Sequence, residues 1–160
     1  MNFSKQNILI IEDDIETLEI MVELFESTFS NVYTSTNGYE AIEIFEKNLI
    51  DVILCDINIP KLNGLDTISK IRELDYSIPI IIISACSDTQ TLLKASNCNI
   101  QGYILKPIMF DDVQNIKNKI FHHQNYEFMN KNIEINFSTS LNLQNNQIII
   151  EGKIIKLTIK

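Results

Sequence analysis

Tryptophan is absent from these 160 residues, glycine and proline are scarce at four and three, and histidine occurs twice. So little glycine and proline excludes a collagen-like or low-complexity chain. No apolar run reaches the ~18 residues that a membrane helix needs. Cysteine is sparse as well: Cys55, Cys86 and Cys98 form no C-x-x-C pair and no even framework. That excludes a zinc ribbon or a disulfide scaffold and fits a reducing compartment. Met1 to Lys5 open no signal peptide, because a strand-like segment follows at once. The expectation is a soluble, cytoplasmic chain with room for one ordinary domain plus a fragment, and no membrane contact.

What the chain has in quantity is acid, unevenly spread. Residues 1–125 hold 9 Lys/Arg against 18 Asp/Glu, a net of −9, whereas residues 126–160 hold 4 against 3, a net of +1. A domain that acidic repels a phosphate backbone, so any nucleic-acid contact must come from elsewhere. The division also suggests a domain over 1–125 and a different element over 126–160.

Two periodicities alternate through the first part. Short apolar runs at Asn7 to Ile11, Val52 to Cys55, Ile80 to Ile83 and Tyr103 to Leu105 lack in-out alternation and read as strands buried on both faces, with Val32 to Ser35 a weaker fifth. Between them Ile15, Leu18, Val22, Phe25 and Phe29 step by three and four, as do Leu65, Ile68, Ile71 and Leu74, and Phe110, Val113, Ile116 and Ile120. Gly38 to Lys47 carries a shorter stripe, Ser87 to Ala95 a weak one, and the last helix is predicted over about Phe110 to Phe128. Strands separated by helices imply a five-stranded parallel, doubly wound α/β sheet, since each parallel crossover needs a helix-sized connection. From Asn132 onward Ile133, Ile135 and Phe137 alternate with polar residues. Leu141 and Leu143, an Asn145-Asn146 turn, Ile148 to Ile150, a Glu151-Gly152 turn and Ile154 to Ile159 follow, which reads as a short antiparallel meander.

In parallel sheets the site forms at the carboxyl ends of the strands. There stand Glu12, Asp13 and Asp14 after the first strand, Asp56 after the third, Ser84 after the fourth and Lys106 after the fifth. Several carboxylates so close cannot all stay ionised without a cation, and oxygen-only ligands favour a hard ion such as Mg²⁺. A lysine and a hydroxyl facing a metal-held aspartate are what a carboxylate nucleophile toward phosphoryl groups requires. Asp14 reads mainly as a helix cap, Cys55 as a small core residue, Asp111 and Asp112 as first-turn charges, and His122-His123 as a solvated pair.

Four stretches in order, Ile8-Leu-Ile-Ile-Glu-Asp-Asp14, Asp51-Val-Ile-Leu-Cys-Asp-Ile-Asn-Ile-Pro-Lys-Leu-Asn-Gly64, Ile83-Ser-Ala85 and Tyr103-Ile-Leu-Lys-Pro107, resemble the receiver domain of two-component response regulators. The resemblance covers roughly residues 5–125. It implies a flavodoxin-like sheet of strand order 2-1-3-4-5 and a non-enzymatic switch that takes a phosphoryl group from a sensor histidine kinase. It further implies that Asp56 is the phosphoacceptor and that Glu12, Asp13, Asp56 and the Asn58 carbonyl hold Mg²⁺. Lys106 would pair with the phosphoryl group, Ser84 would move to bond it while small Ala85 leaves the donor a path, and Tyr103 would turn inward. The Lys106-Pro107 bond is expected to be cis.

The tail, Gly152-Lys-Ile-Ile-Lys-Leu-Thr-Ile-Lys160, resembles the amino-terminal sheet of the OmpR/PhoB-type winged-helix effector. The recognition helix and wing do not follow, so DNA is expected as a partner only through that missing part. Receivers of this type often dimerise through ion pairs between acids before strand five and arginines on helix five. Here Gln101-Gly102, Ile116 and Asn118 stand at those places, so those pairs cannot form, and a homodimer of another kind is left open. Two other readings compete with the switch: a receiver-like scaffold that ignores phosphorylation, and a haloacid dehalogenase-type phosphatase, which has a second aspartate where this chain has Asn58.

Overall fold

A computed structural model describes the backbone of residues 6–85, 89–131, 139–142, 147–150 and 153–156, and side chains over 6–85 and 91–120. Five strands and five helices alternate: β1 (Asn7–Ile11), α1 (Ile15–Glu26), β2 (Asn31–Ser35), α2 (Gly38–Lys47), β3 (Val52–Asp56), α3 (Gly64–Leu74), β4 (Ile80–Ser84), α4 (Thr89–Ser96), β5 (Gly102–Leu105) and α5 (Phe110–Lys131). The strands pair in parallel in the order β2-β1-β3-β4-β5. This is the order that the resemblance implies.

Successive strand residues point to opposite faces, and both faces are apolar. On one, Ile8, Ile10, Leu54, Ile81, Ile83 and Ile104 meet Leu18, Met21 and Phe25 of α1 and Val113, Ile116 and Ile120 of α5. On the other, Leu9, Ile11, Ile53, Cys55, Ile80 and Ile82 meet Ala41, Ile68, Ile71 and Ala95 from α2, α3 and α4. That double burial is why β1, β3 and β4 read as unbroken apolar runs. Local chemistry sets where helices begin. Asp14, Asn37 and Asn63 each cap a helix, their side chains accepting from the amides of Thr17, Glu40 and Asp66.

The structure corrects several expected boundaries. β3 and β4 run one residue further, so Asp56 and Ser84 are the last residues of their strands. Because α1 ends at Glu26, Phe29 lies beyond it, yet its ring still packs on Phe25 with centroids 5.9 Å apart. Ile15 and Leu74, the ends of their helical stripes, are more than half exposed. α5 extends to Lys131 rather than Phe128.

The chain divides into two compact units, Met1–His123 and Gln124–Lys160. In the second, β6 (Thr139–Asn142), β7 (Gln147–Ile150) and β8 (Lys153–Lys156) pair antiparallel in that order. Cys86, Ser87, the Ile133 to Phe137 run, Leu143, both predicted turns, the Leu157-Thr158 element and the side chains of His122-His123 lie outside the described residues. Among the described residues no helix is long and apolar enough to cross a membrane.

The α1 face gives a clean stability contrast. Phe25 is fully buried and Ile20 is 57% exposed. Phe25→Ala is expected to cost about 3–5 kcal/mol, and Ile20→Ala no more than roughly 0.5 kcal/mol. Urea unfolding followed by circular dichroism, suited to a chain without tryptophan, reads both.

Candidate functional site

Glu12 follows β1 directly, Asp56 and Ser84 end β3 and β4, and Lys106 follows β5. The sheet therefore delivers all four to one edge, and the first turn of the β1–α1 loop adds Asp13. One carboxylate oxygen from each of Glu12, Asp13 and Asp56 lies within 4.8 Å of the others. Glu12 is fully buried, Asp56 nearly so, and Asp13 faces solvent. Lys106 Nζ forms ion pairs with Asp56 Oδ2 and, at 2.6 Å, with Glu12 Oε2. One ammonium thus serves two buried carboxylates.

The energetics of this cluster are uneven. Burial pushes the Glu12 carboxyl above its ordinary range, and the hydrogen bonding and charge of Lys106 only partly pull it back. Burial alone would lower the Lys106 ammonium, but its bonds to Asp56 and Glu12 outweigh that and raise it. Glu12 Oε2 has no backbone amide near it and depends on Lys106 Nζ at 2.6 Å. Asp56 is better satisfied: Oδ2 faces Lys106, and Oδ1 accepts the Asn58 amide at 3.1 Å.

These donors suit a hard cation. All are oxygen, and three carboxylates against one ammonium leave a formal surplus of two negative charges. Glu12, Asp13 and Asp56 are the groups that would hold Mg²⁺.

The remaining predicted residues fall around this centre. Ser84 is buried, and its carbonyl accepts the Lys106 amide at 3.0 Å. Tyr103 is half-buried on β5 against the second core cluster. Asn58 is exposed in the β3–α3 loop, Ala85 is exposed beside Ser84, and Lys106-Pro107 is cis. Asp14 caps α1, and its bond from Thr17 holds its carboxyl below the usual range.

Two structural devices around Asp56 escaped the sequence reading. A Cβ on Gly64 would overlap the Asp56 carbonyl oxygen and come within 2.7 Å of Ile57 Cα, so α3 can start against the strand end only with glycine there. The Gly64 amide donates to Ile57 O at 2.8 Å and closes the loop. Within it Lys61 adopts φ 66°, left-handed for a non-glycine residue, while the Leu62 amide bonds Pro60 O at 2.8 Å. The Asn-Gly dipeptide was the available signal for the first device; nothing in lysine announces the second.

The family model for the response regulator receiver domain matches residues 8–118. The chain belongs to this family. Among curated relatives of the receiver, the transcriptional regulatory protein ZraR of Escherichia coli K12 is 29% identical over 123 residues, which are 77% of this chain and 28% of ZraR. A cyclic di-GMP phosphodiesterase of Thermotoga maritima is 28% identical over 120 residues, 72% of this chain and 32% of that one. The chain thus spans about a third or less of these relatives. Among solved structures, the CheX-CheY-BeF3-Mg+2 complex of Borrelia burgdorferi contains a chain 28% identical, with a TM-score of 0.68, matching 72% of this chain and 89% of that one.

Two outcomes follow from this geometry. Because Glu12 has a raised folded-state value, the native state binds its proton more tightly than the unfolded chain, and stability is lost as pH climbs from about 4.5 through that raised value. Without divalent cations at pH 7, Glu12→Gln is therefore expected to raise the urea midpoint and flatten that decline. A lower midpoint would mean that the Lys106 pair outweighs burial. Gly64→Ala is expected to cost about 1–3 kcal/mol and to weaken Mg²⁺ binding, read by calorimetry on the same samples.

Proposed function

We propose that this receiver domain is a phosphorylation switch, with Asp56 accepting a phosphoryl group from a sensor histidine kinase in the presence of Mg²⁺. The observation that carries this is the convergence of Glu12, Asp13 and Asp56 within 4.8 Å, with the Lys106 ammonium set against Asp56. An Asp56 oxygen attacks phosphorus, the bond from phosphorus to the donor imidazole nitrogen breaks, and the imidazole leaves with its electron pair and takes up a proton. Bound Mg²⁺ supplies charge neutralisation for the transferring oxygens. Lys106 gives up a carboxylate contact and pairs with the phosphoryl oxygens, and the Asn58 amide keeps Asp56 oriented.

The modification adds about −1.5 to −2 charge to an already acidic edge. Ser84, at the end of β4 next to the Lys106 strand, is the hydroxyl placed to answer it, and Tyr103 on β5 is the ring placed to follow. Ile15, Ile20, Met109 and Phe110 are all more than half exposed on the elements flanking Lys106, an apolar rim that a protein donor would cover on approach. The chain's role is that of substrate and signal carrier in the cytoplasm. Residues 126–160 are the linker and first sheet of an OmpR/PhoB-type winged-helix effector through which DNA would be contacted. The Gly152 to Lys160 sequence and the antiparallel β6-β7-β8 pairing support this.

Incubation with acetyl phosphate and Mg²⁺ is expected to add one phosphoryl mass to the intact protein and none to Asp56→Asn. Uptake by Asp56→Asn, or no uptake by the native chain, would overturn the proposal. Repeated turnover of a chromogenic phosphate ester would favour the phosphatase reading instead.

A further inference from the structure

Lys106 hangs from the least supported strand of the sheet. β5 has four residues and, among the described residues, pairs with β4 alone. Its sequence Tyr103-Ile104-Leu105 is apolar at every step, so a shift by one residue would still place apolar groups on both faces, and the hydrophobic pattern leaves the register weakly specified. Such a slip would carry Lys106 roughly 3.3 Å along the strand and turn its side chain to the opposite face.

What fixes the register lies at the other end of β5. The Gln101 amide donates to Ile80 O at 2.8 Å, and the Ile80 amide donates to Gln101 Oε1 at 2.8 Å. Gln101 Nε2 donates to Asn99 O at 3.1 Å. Arg72, the only arginine in the chain, reaches across from α3 and is largely sheltered. Its Nε donates to Cys98 O at 3.1 Å, Nη1 to Ile78 O at 2.7 Å and Asp75 O at 3.3 Å, and Nη2 to Asn99 O at 2.8 Å and Gln101 Oε1 at 3.5 Å. The next residue, Gly102, lies under the exposed Lys119 side chain, whose Cδ would stand 2.9 Å from a Cβ there and could swing aside. These contacts are met together in one register only, that which pairs Ile81 with Gly102 and Ser84 with Leu105.

We propose that Arg72 and Gln101 are positioning residues for Lys106, fixing the register of β5 so that the ammonium arrives between Asp56 and Glu12. This rests on the switch reading for its functional consequence. The planar fork of Arg72 suits it to the task because it satisfies four carbonyls in two loops at once, those before β4 and β5, which a lysine cannot reproduce.

Gln101→Leu keeps the approximate volume and removes both polar ends; Gln101→Glu keeps the Oε1 acceptor toward Ile80 and Arg72. Gln101→Leu is expected to take up phosphoryl groups from acetyl phosphate about three- to tenfold more slowly at saturating Mg²⁺. Its Mg²⁺ affinity should be unchanged or tighter, because the competing ammonium has moved. The Lys106 amide, bonded to Ser84 O, should exchange faster with solvent relative to the Ile10 amide in β1. Gln101→Glu should stay near the native rate. An unchanged rate and unchanged Lys106 amide exchange in Gln101→Leu would overturn the proposal. So would a parallel loss of Mg²⁺ affinity and rate, the mark of general loosening. If Gln101→Leu does not fold, Gln101→Asn, too short to reach the same partners, carries the same expectations. Failure of the native chain to accept phosphoryl would sink the switch reading alone, since amide exchange still reports the register.

Discussion

Three carboxylates, one of them a buried glutamate, with one ammonium to balance them, are the constraint on which this molecule is organised. Glu12 is fully buried, and no backbone amide is aimed at its Oε2. Its charge is tolerable only while Lys106 or a divalent cation is near. A core that had no chemistry to perform would place an aliphatic residue there. The site is thus a local destabilisation maintained by the apolar layers on both sides of the sheet, and its surplus negative charge is what a divalent cation would answer.

The architecture keeps such a cluster assembled by making its members strand ends. Asp56 and Ser84 terminate β3 and β4, and Glu12 and Lys106 come one residue after β1 and β5. Their spacing is that of neighbouring strands and needs no flexible loop to set it. The one loop that must bend sharply, between Asp56 and α3, is closed at its base by the Gly64 amide and accepts a left-handed Lys61 in the middle. By contrast α4 is only eight residues long and exposes Leu92 and Leu93.

Much of this could be read from residue order. Double-sided burial makes β1, β3 and β4 unbroken apolar runs, which mark a parallel sheet, and a parallel sheet places Glu12, Asp13, Asp56, Ser84 and Lys106 at one edge before any coordinates exist. The cap at Asp14 was equally open to reading, because a carboxylate before an amphipathic stripe has few other tasks. What escaped was whatever depends on backbone shape or on distant partners. Lys61 gives no sign of a positive φ. Arg72 sits on a helix face where a solvated charge is the ordinary inference, and its five acceptors come from segments up to 29 residues away. Phe29 misled because a stripe at helical spacing continued past the end of its helix, the ring being needed by the core although its backbone had already turned.

The thiol below Asp56 has a practical side. Cys55 is sealed in the sheet, its Sγ directed at the Asp56 carbonyl at 3.1 Å, and burial together with the neighbouring Asp56 and Glu12 charges keeps it protonated far above neutral pH. Alkylating reagents need thiolate and access, and Cys55 offers neither. Of the two described cysteines, Cys98 alone is partly open, beyond the carboxyl end of α4. A fluorophore attached there would report from the loop before β5, beside the carbonyl that Arg72 bonds.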